Sequence, residues 1–146
     1  MAKVSTYLNF KDKTEEAFLF YKSVFGGEFI GNGMNRFGEM PTVEGMPPMP
    51  ESVKKLIMHV ELPILGGHSI MGTDAPEEMG FKVNQGNNIY ISLEPDSRAE
   101  ADRLFNALSQ GGVIEQQLQE MFWGAYFGSF RDKFGVGWMI NCHAKE

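Results

Sequence analysis

Phe20–Phe29 reads FYKSVFGGEF, an apolar run with helical spacing that stops at a double glycine and turns into something extended. The same grammar returns far downstream at Leu104–Ile114, LFNALSQGGVI. Glycine tolerates the positive φ that a helix C-terminus commonly needs, so Gly26-Gly27 and Gly111-Gly112 read as helix stops. Working outward, each helix is preceded by a strand. Val4–Phe10, VSTYLNF, sets Thr6, Leu8 and Phe10 on one side and Ser5, Tyr7 and Asn9 on the other, the period of two that a strand requires. Asp12 with Glu15 offers a capping box, and Ala17, Tyr21 and Val24 fall with Phe18 and Phe25 on one helical face. In the second copy Asn88–Glu94, NIYISLE, alternates Ile89, Ile91 and Leu93 against Asn88, Tyr90 and Ser92. Ser97 with Glu100 repeats the capping box, and Ala101, Leu104, Phe105 and Leu108 form the apolar stripe.

Each helix is followed by more strand material. Glu28–Phe37 is extended, and Lys55–Ile64, KLIMHVELPI, sets Leu56, Met58, Val60 and Leu62 against Ile57, His59 and Glu61. Gly66-Gly67 then turns the chain back into HSIMGT as a hairpin partner. After the second helix the chain is strand-like to Cys142, broken near Gly128 and again at the Asp132–Gly135 turn. The sequence therefore reads as an α+β domain over residues 1–146, an internal duplication of a β-α-β-β-β unit with module one at about 3–75 and module two at about 87–143. Coincidence between two common β-α-β pieces is the competing account, but order, capping and double glycine recur together. Two loops, Gly38–Ser52 and Asp74–Gly86, carry prolines, methionines and acidic residues. The first reads either as a lid or dimer contact or as a plain hairpin connection.

Bulk properties narrow the function. At 146 residues the chain can bury one ordinary core, and its 42% apolar and 22% charged content is that of a globular protein. A formal net charge of -6 argues against a partner with a phosphate backbone, and no apolar run approaches the roughly 20 residues that span a bilayer. The opening MAKVSTYLNF lacks an apolar stretch ahead of a cleavage site, so no signal peptide is expected. Cys142 is the sole cysteine, which excludes an internal disulfide and fits a reducing, cytoplasmic setting. Dinucleotide, P-loop, CxxC, HExxH and G-x-S-x-G signatures are missing.

The two modules carry YLNF at 7–10, AFLFYKSVFGGE at 17–28, FGEMP at 37–41, IMHVEL at 57–62 and IMGTDAP at 70–76. MFWGAYFG and DKFGVGWMIN follow near the end. Together they resemble the vicinal oxygen chelate superfamily of glyoxalase I, bleomycin and fosfomycin resistance proteins and extradiol dioxygenases, and within it the PhnB-like branch. The resemblance implies a curved, cup-shaped mixed sheet with helices on the outer face. It also implies a divalent metal held from the first and last strands of each module, acting as a Lewis acid on the substrate. This chain departs from that pattern, with Ser5, Asn88 and Met139 where the ligands would stand. A hydroxyl, an amide and a thioether suit a divalent cation poorly.

The expectation is thus a PhnB-like protein, a binder in preference to an enzyme, holding a small organic molecule in the cup with no cofactor. Its lining would be Tyr7, Asn9, His59, Tyr90, Trp123, Met139 and Asn141, with His59 the candidate general base because imidazole titrates near neutrality. A homodimer goes with that resemblance, while the acidic charge and short apolar runs give no expectation of a nucleic-acid or membrane partner. One alternative is a metal-dependent lyase, transferase or dioxygenase with relocated ligands, His59, Glu61 and His68. Others are a drug-sequestering protein of the resistance type and a domain whose cup is filled by side chains. Trp138 is expected in the core or a dimer seam, His143 in solvent, and Asn88 joins Asn9 and Asn141 as a neutral hydrogen-bonding group.

Overall fold

The structure, a computed structural model, describes residues 2–41 and 44–144. Thr42 and Val43, part of the Gly38–Ser52 loop, lie outside the described residues. The chain forms two compact units, the first ending at Asn84 and the second beginning at Gln85.

In the first unit β1 (Thr6–Phe10) leads into α1 (Thr14–Phe25), then β2 (Asn35–Arg36), the short α2 (Glu51–Lys54), β3 (Ile57–Pro63) and β4 (Ser69–Asp74). The sheet order is β1-β4-β3-β2, parallel between β1 and β4 and antiparallel elsewhere. The second unit carries β5 (Ile91–Leu93), α3 (Arg98–Leu108), β6 (Val113–Glu120), β7 (Tyr126–Arg131) and β8 (Gly137–Cys142). Its order is β5-β8-β7-β6, parallel between β5 and β8. The same strand order and the same single parallel pair appear twice, as the repeated sequence pattern requires.

Each sheet has a helix-covered face and a face that the helix leaves open. In the first unit Leu8, Phe10, Ile70, Gly72, Val60 and Leu62 lie in register on the side where α1 packs. Phe18 and Tyr21 of α1 are fully buried, and a Cβ on Gly72 would overlap the Phe18 ring. Burying such a side chain contributes about 1.5–3 kcal/mol, which fixes the helix on that face. In the second unit Phe105 stacks edge-on to Phe130 at 5.1 Å, and Gly128 leaves the room its ring needs. The opposite faces carry Tyr7, Asn9, Met71, Thr73 and Glu61 in one unit and Ser92, Met139, Ser129, Phe127 and Asn141 in the other.

A buried aspartate ties each unit together. Asp74 accepts from the backbone N–H of Thr14 at 3.0 Å and of Ile57 at 2.8 Å, joining the start of α1 to β3. Asp132 accepts from the N–H groups of Phe134 (2.8 Å) and Val136 (3.0 Å) and from Trp138 Nε1 at 2.9 Å. Trp138 is thus core, as expected for one of its two readings, and Cys142 is buried at the far end of β8.

Several local expectations need correction. Asp12 does not cap α1: Lys13 is the N-cap, without a side-chain bond, and the distant Asp74 carboxylate meets the first free N–H. Ser97 does cap α3, accepting from Glu100 N at 3.1 Å, while the Glu100 carboxylate turns to Arg103 instead of closing a box. Glu28–Phe37 is mostly turn, with positive-φ glycines at 31 and 33 and only the two-residue β2. On β3 both Ile57 and Val60 are buried, because Asn35 pairs with His59 but Arg36 pairs with Ile57. That extra residue is a bulge, and it swaps the face of everything before it. The strand placed at Asn88–Glu94 begins only at Ile91, leaving Ile89 exposed. The break expected near Gly128 falls at residues 121–125, because Gly128 is in mid-strand where α3 presses on it. The Gly38–Ser52 loop is not structureless throughout: Phe37–Glu39 is a 3-10 turn and α2 begins at Glu51.

Candidate functional site

On the open face of the first sheet, β1 is an edge strand, and the connection at residues 81–84 runs along it. Between them lies a groove of about 380 Å³ lined by Tyr7, Leu8, Asn9, Ala75, Phe81, Lys82, Val83 and Asn84. Strand alternation turns Tyr7 and Asn9 away from α1, and parallel pairing with β4 sets them beside Met71 and Thr73. Tyr7 and Phe81 are 48% and 53% exposed, so each keeps about half its ring surface uncovered. The Tyr7 ring lies 6.2 Å from that of His59, reaching across β4.

His59 and Glu61 share this face, but Glu61 pairs with Lys3 at 3.6 Å. His68 does not join them: its Nε2 lies 2.8 Å from Thr6 Oγ1, and Thr6 is on the alternate side of β1 from Tyr7. The set His59, Glu61 and His68 is therefore not brought together, and no group of three His, Cys, Asp or Glu suited to a metal occurs among the described residues. Ser5, Asn88 and Met139 provide neutral donors, which do not fit a hard divalent cation. Asn88 precedes β5 and is exposed, so it does not occupy a strand position at all.

The open face of the second sheet has its own polar features. Asn141 and Met139 lie there on β8, opposite Phe127 and Ser129 of β7. Asn141 Oδ1 is buried without a hydrogen-bond partner, while its Nδ2 lies 3.3 Å from His143 Nε2. Tyr90, just before β5, donates to Glu115 Oε1 at 2.6 Å. The Glu115 carboxylate holds that phenol above its ordinary pKa, with Arg131 opposing. A Cβ on Gly137 would meet the Tyr90 ring, so this glycine lets the ring lie across β8. Arg131 donates to the carbonyls of Gly86 and Gly135, beside a second hollow of about 370 Å³ lined by Gln85, Gly86, Asn87 and Arg131. Trp123 sits in the turn between β6 and β7, 52% exposed and edge-on to Phe127 at 5.9 Å.

Of the residues singled out in the sequence, Tyr7 and Asn9 line the β1 groove with His59 adjacent, whereas Tyr90, Met139, Asn141 and Trp123 belong to the second unit. Phe81, Lys82 and Asn84 were missed. They sit in the Asp74–Gly86 loop, where no periodicity marks them, and only the sheet edge alongside gives them a partner.

The sequence profile of the 3-demethylubiquinone-9 3-methyltransferase family matches residues 2–141. The chain belongs to this family. It is 31% identical over 143 residues to protein YjdN of Escherichia coli K12, covering 94% of this chain and 93% of that one. Protein PA1353 of Pseudomonas aeruginosa superposes with a TM-score of 0.83 at 36% identity over 99% of this chain and 100% of the other. A PhnB protein of Bacillus cereus does so with a TM-score of 0.72 at 26% identity, covering 97% and 99%. A glyoxylase/bleomycin resistance protein/dioxygenase domain from Frankia, 15% identical with a TM-score of 0.61 over 97% and 98%, shares the fold alone. The family is thus PhnB-like, and the α+β class with two four-stranded mixed sheets is that of its glyoxalase-fold neighbours. No helix among the described residues is long and apolar enough to cross a membrane.

Proposed function

We propose that this PhnB-like protein binds a small organic molecule in the groove beside β1, without a divalent metal. The observation that carries the reading is the groove itself: about 380 Å³, with aromatic surface from Tyr7 and Phe81 and amides from Asn9 and Asn84. That volume falls in the roughly 300–1,000 Å³ range of small-molecule sites, and the lining, more polar than apolar, suits a ligand with polar groups. The neutral character of Ser5, Asn88 and Met139 supports the metal-free part. His59, next to Tyr7, would contact the ligand from the β3 side. The reading includes a cytoplasmic homodimer, by analogy with the fold family and because symmetric dimers are the commonest soluble assembly.

The test is amide NMR of the labelled protein against a library of small aromatic and polar compounds at millimolar concentration. Binding should shift the signals of Tyr7, Asn9 and Asn84 together. A library that leaves all three unmoved would overturn the proposal. Elemental analysis after purification without chelator should give far less than one divalent ion per chain. A stoichiometric ion released by His59→Ala would instead establish the relocated metal enzyme.

A further inference from the structure

Resting on that reading, we infer that the ligand of the β1 groove is a flat organic anion, such as an aromatic carboxylate, with its charge met by Lys82 and its plane against Tyr7 and Phe81. Among the described residues Lys82 is the only charged side chain lining the groove, and no carboxylate of theirs lines it. Its ammonium has no ion pair or hydrogen bond among the described residues. By contrast Lys3, Lys11, Lys13, Lys22 and Lys54 each lie within 4.0 Å of an acidic side chain, while Lys55, which does not line this groove, shares the unpaired state of Lys82. With 19 acidic residues against 13 basic ones, the protein as a whole repels anions. The one charge on the groove's lining is then an unpaired cation, and it favours a negative ligand over a neutral one at that point.

The rest of the lining sets the ligand's shape. Tyr7 and Phe81 leave ring surface free, and aromatic faces pack best against flat partners. Asn9 and Asn84 present donors and acceptors but no charge, so they can meet a carboxylate oxygen or a ring substituent without competing with Lys82. A lysine acts as a point charge, whereas a doubly charged phosphate is usually met by several donors or an arginine fork, and no arginine lines this groove.

Three probes separate charge from shape: 2-naphthoate, its uncharged analogue 2-naphthamide, and the non-planar anion cyclohexanecarboxylate, each titrated by amide NMR. Naphthoate should move the Tyr7, Asn9 and Asn84 signals and bind up to about fivefold more tightly than naphthamide, the margin of one exposed charge pair, and more tightly than cyclohexanecarboxylate, which has the charge without the flat ring. Lys82→Gln should abolish the advantage over naphthamide while leaving the spectrum otherwise folded, and high salt should shrink it. Equal binding of naphthoate and naphthamide, or a preference that survives Lys82→Gln, would overturn the inference. If neutral compounds move those signals and anions do not, the anion assignment fails and small-molecule binding stands. If no compound moves them, both fall.

Discussion

Asp74→Ala tests how the first unit is held together. The Asp74 carboxylate is buried and accepts from two buried backbone donors, Thr14 N at 3.0 Å and Ile57 N at 2.8 Å. Alanine leaves both N–H groups without an acceptor, and each buried orphan donor costs about 1–3 kcal/mol. The expected loss is therefore about 3–5 kcal/mol, a large share of the roughly 5–15 kcal/mol of a typical domain. At about 2–4 °C per kcal/mol it should lower Tm by roughly 10 °C. Asp74→Asn keeps the shape and one acceptor but turns an amide NH2 toward the other donor, so it should lose at least half as much. Urea unfolding followed by far-UV circular dichroism is the assay, because both tryptophans, Trp123 and Trp138, belong to the second unit. A loss below about 1 kcal/mol at unchanged m-value would refute the reasoning, since the two donors would then have found other acceptors at little cost.

The helix caps and two tyrosine hydroxyls give further expected outcomes. Ser97→Ala should cost about 1 kcal/mol by removing the acceptor for Glu100 N. Asp12→Gly, which keeps the φ of 62°, should change stability by less than about 0.5 kcal/mol because Asp12 caps nothing; equal losses in the two variants would contradict the assignment of caps. At alkaline pH, Tyr90 and Tyr126 should ionise above the ordinary value of 10.0, their hydroxyls being held by the Glu115 and Asp102 carboxylates. Because the folded state favours the protonated phenol, this stabilisation is complete below pH 10 and is lost as pH rises through the raised values. Ultraviolet phenolate titration of Tyr90→Phe and Tyr126→Phe should each delete a late-titrating component, and deletion of an early one would contradict the contacts.

The sequence by itself determined the duplication and the class. The two helical stripes, the first ending at Gly26 and the second at Ser109 just ahead of its glycines, the alternation on β1 and the Ser97 cap are all local patterns, and local patterns depend on neighbours a few residues away. Several of the expectations that failed depended on distant partners. Asp74 replaces Asp12 as the acceptor at α1 because a buried carboxylate sixty residues away reaches the helix start. The β3 bulge changes faces because β2 pairs across it, which no residue of β3 announces. Gly128 stays within its strand because Phe105 must pass over it, not because the chain turns there.

The candidate site divides along the same line. Tyr7 and Asn9 were legible, since strand alternation alone turns them off the helix-covered face. Phe81, Lys82 and Asn84 were not, because a loop residue has no period and gains its neighbours only when the sheet edge is built beside it. Likewise His59 and His68 look equivalent on a hairpin, yet only the folded sheet sends one to Tyr7 and the other to Thr6. Periodicity is written in the order of residues, whereas the meeting of distant side chains is decided by pairing and packing.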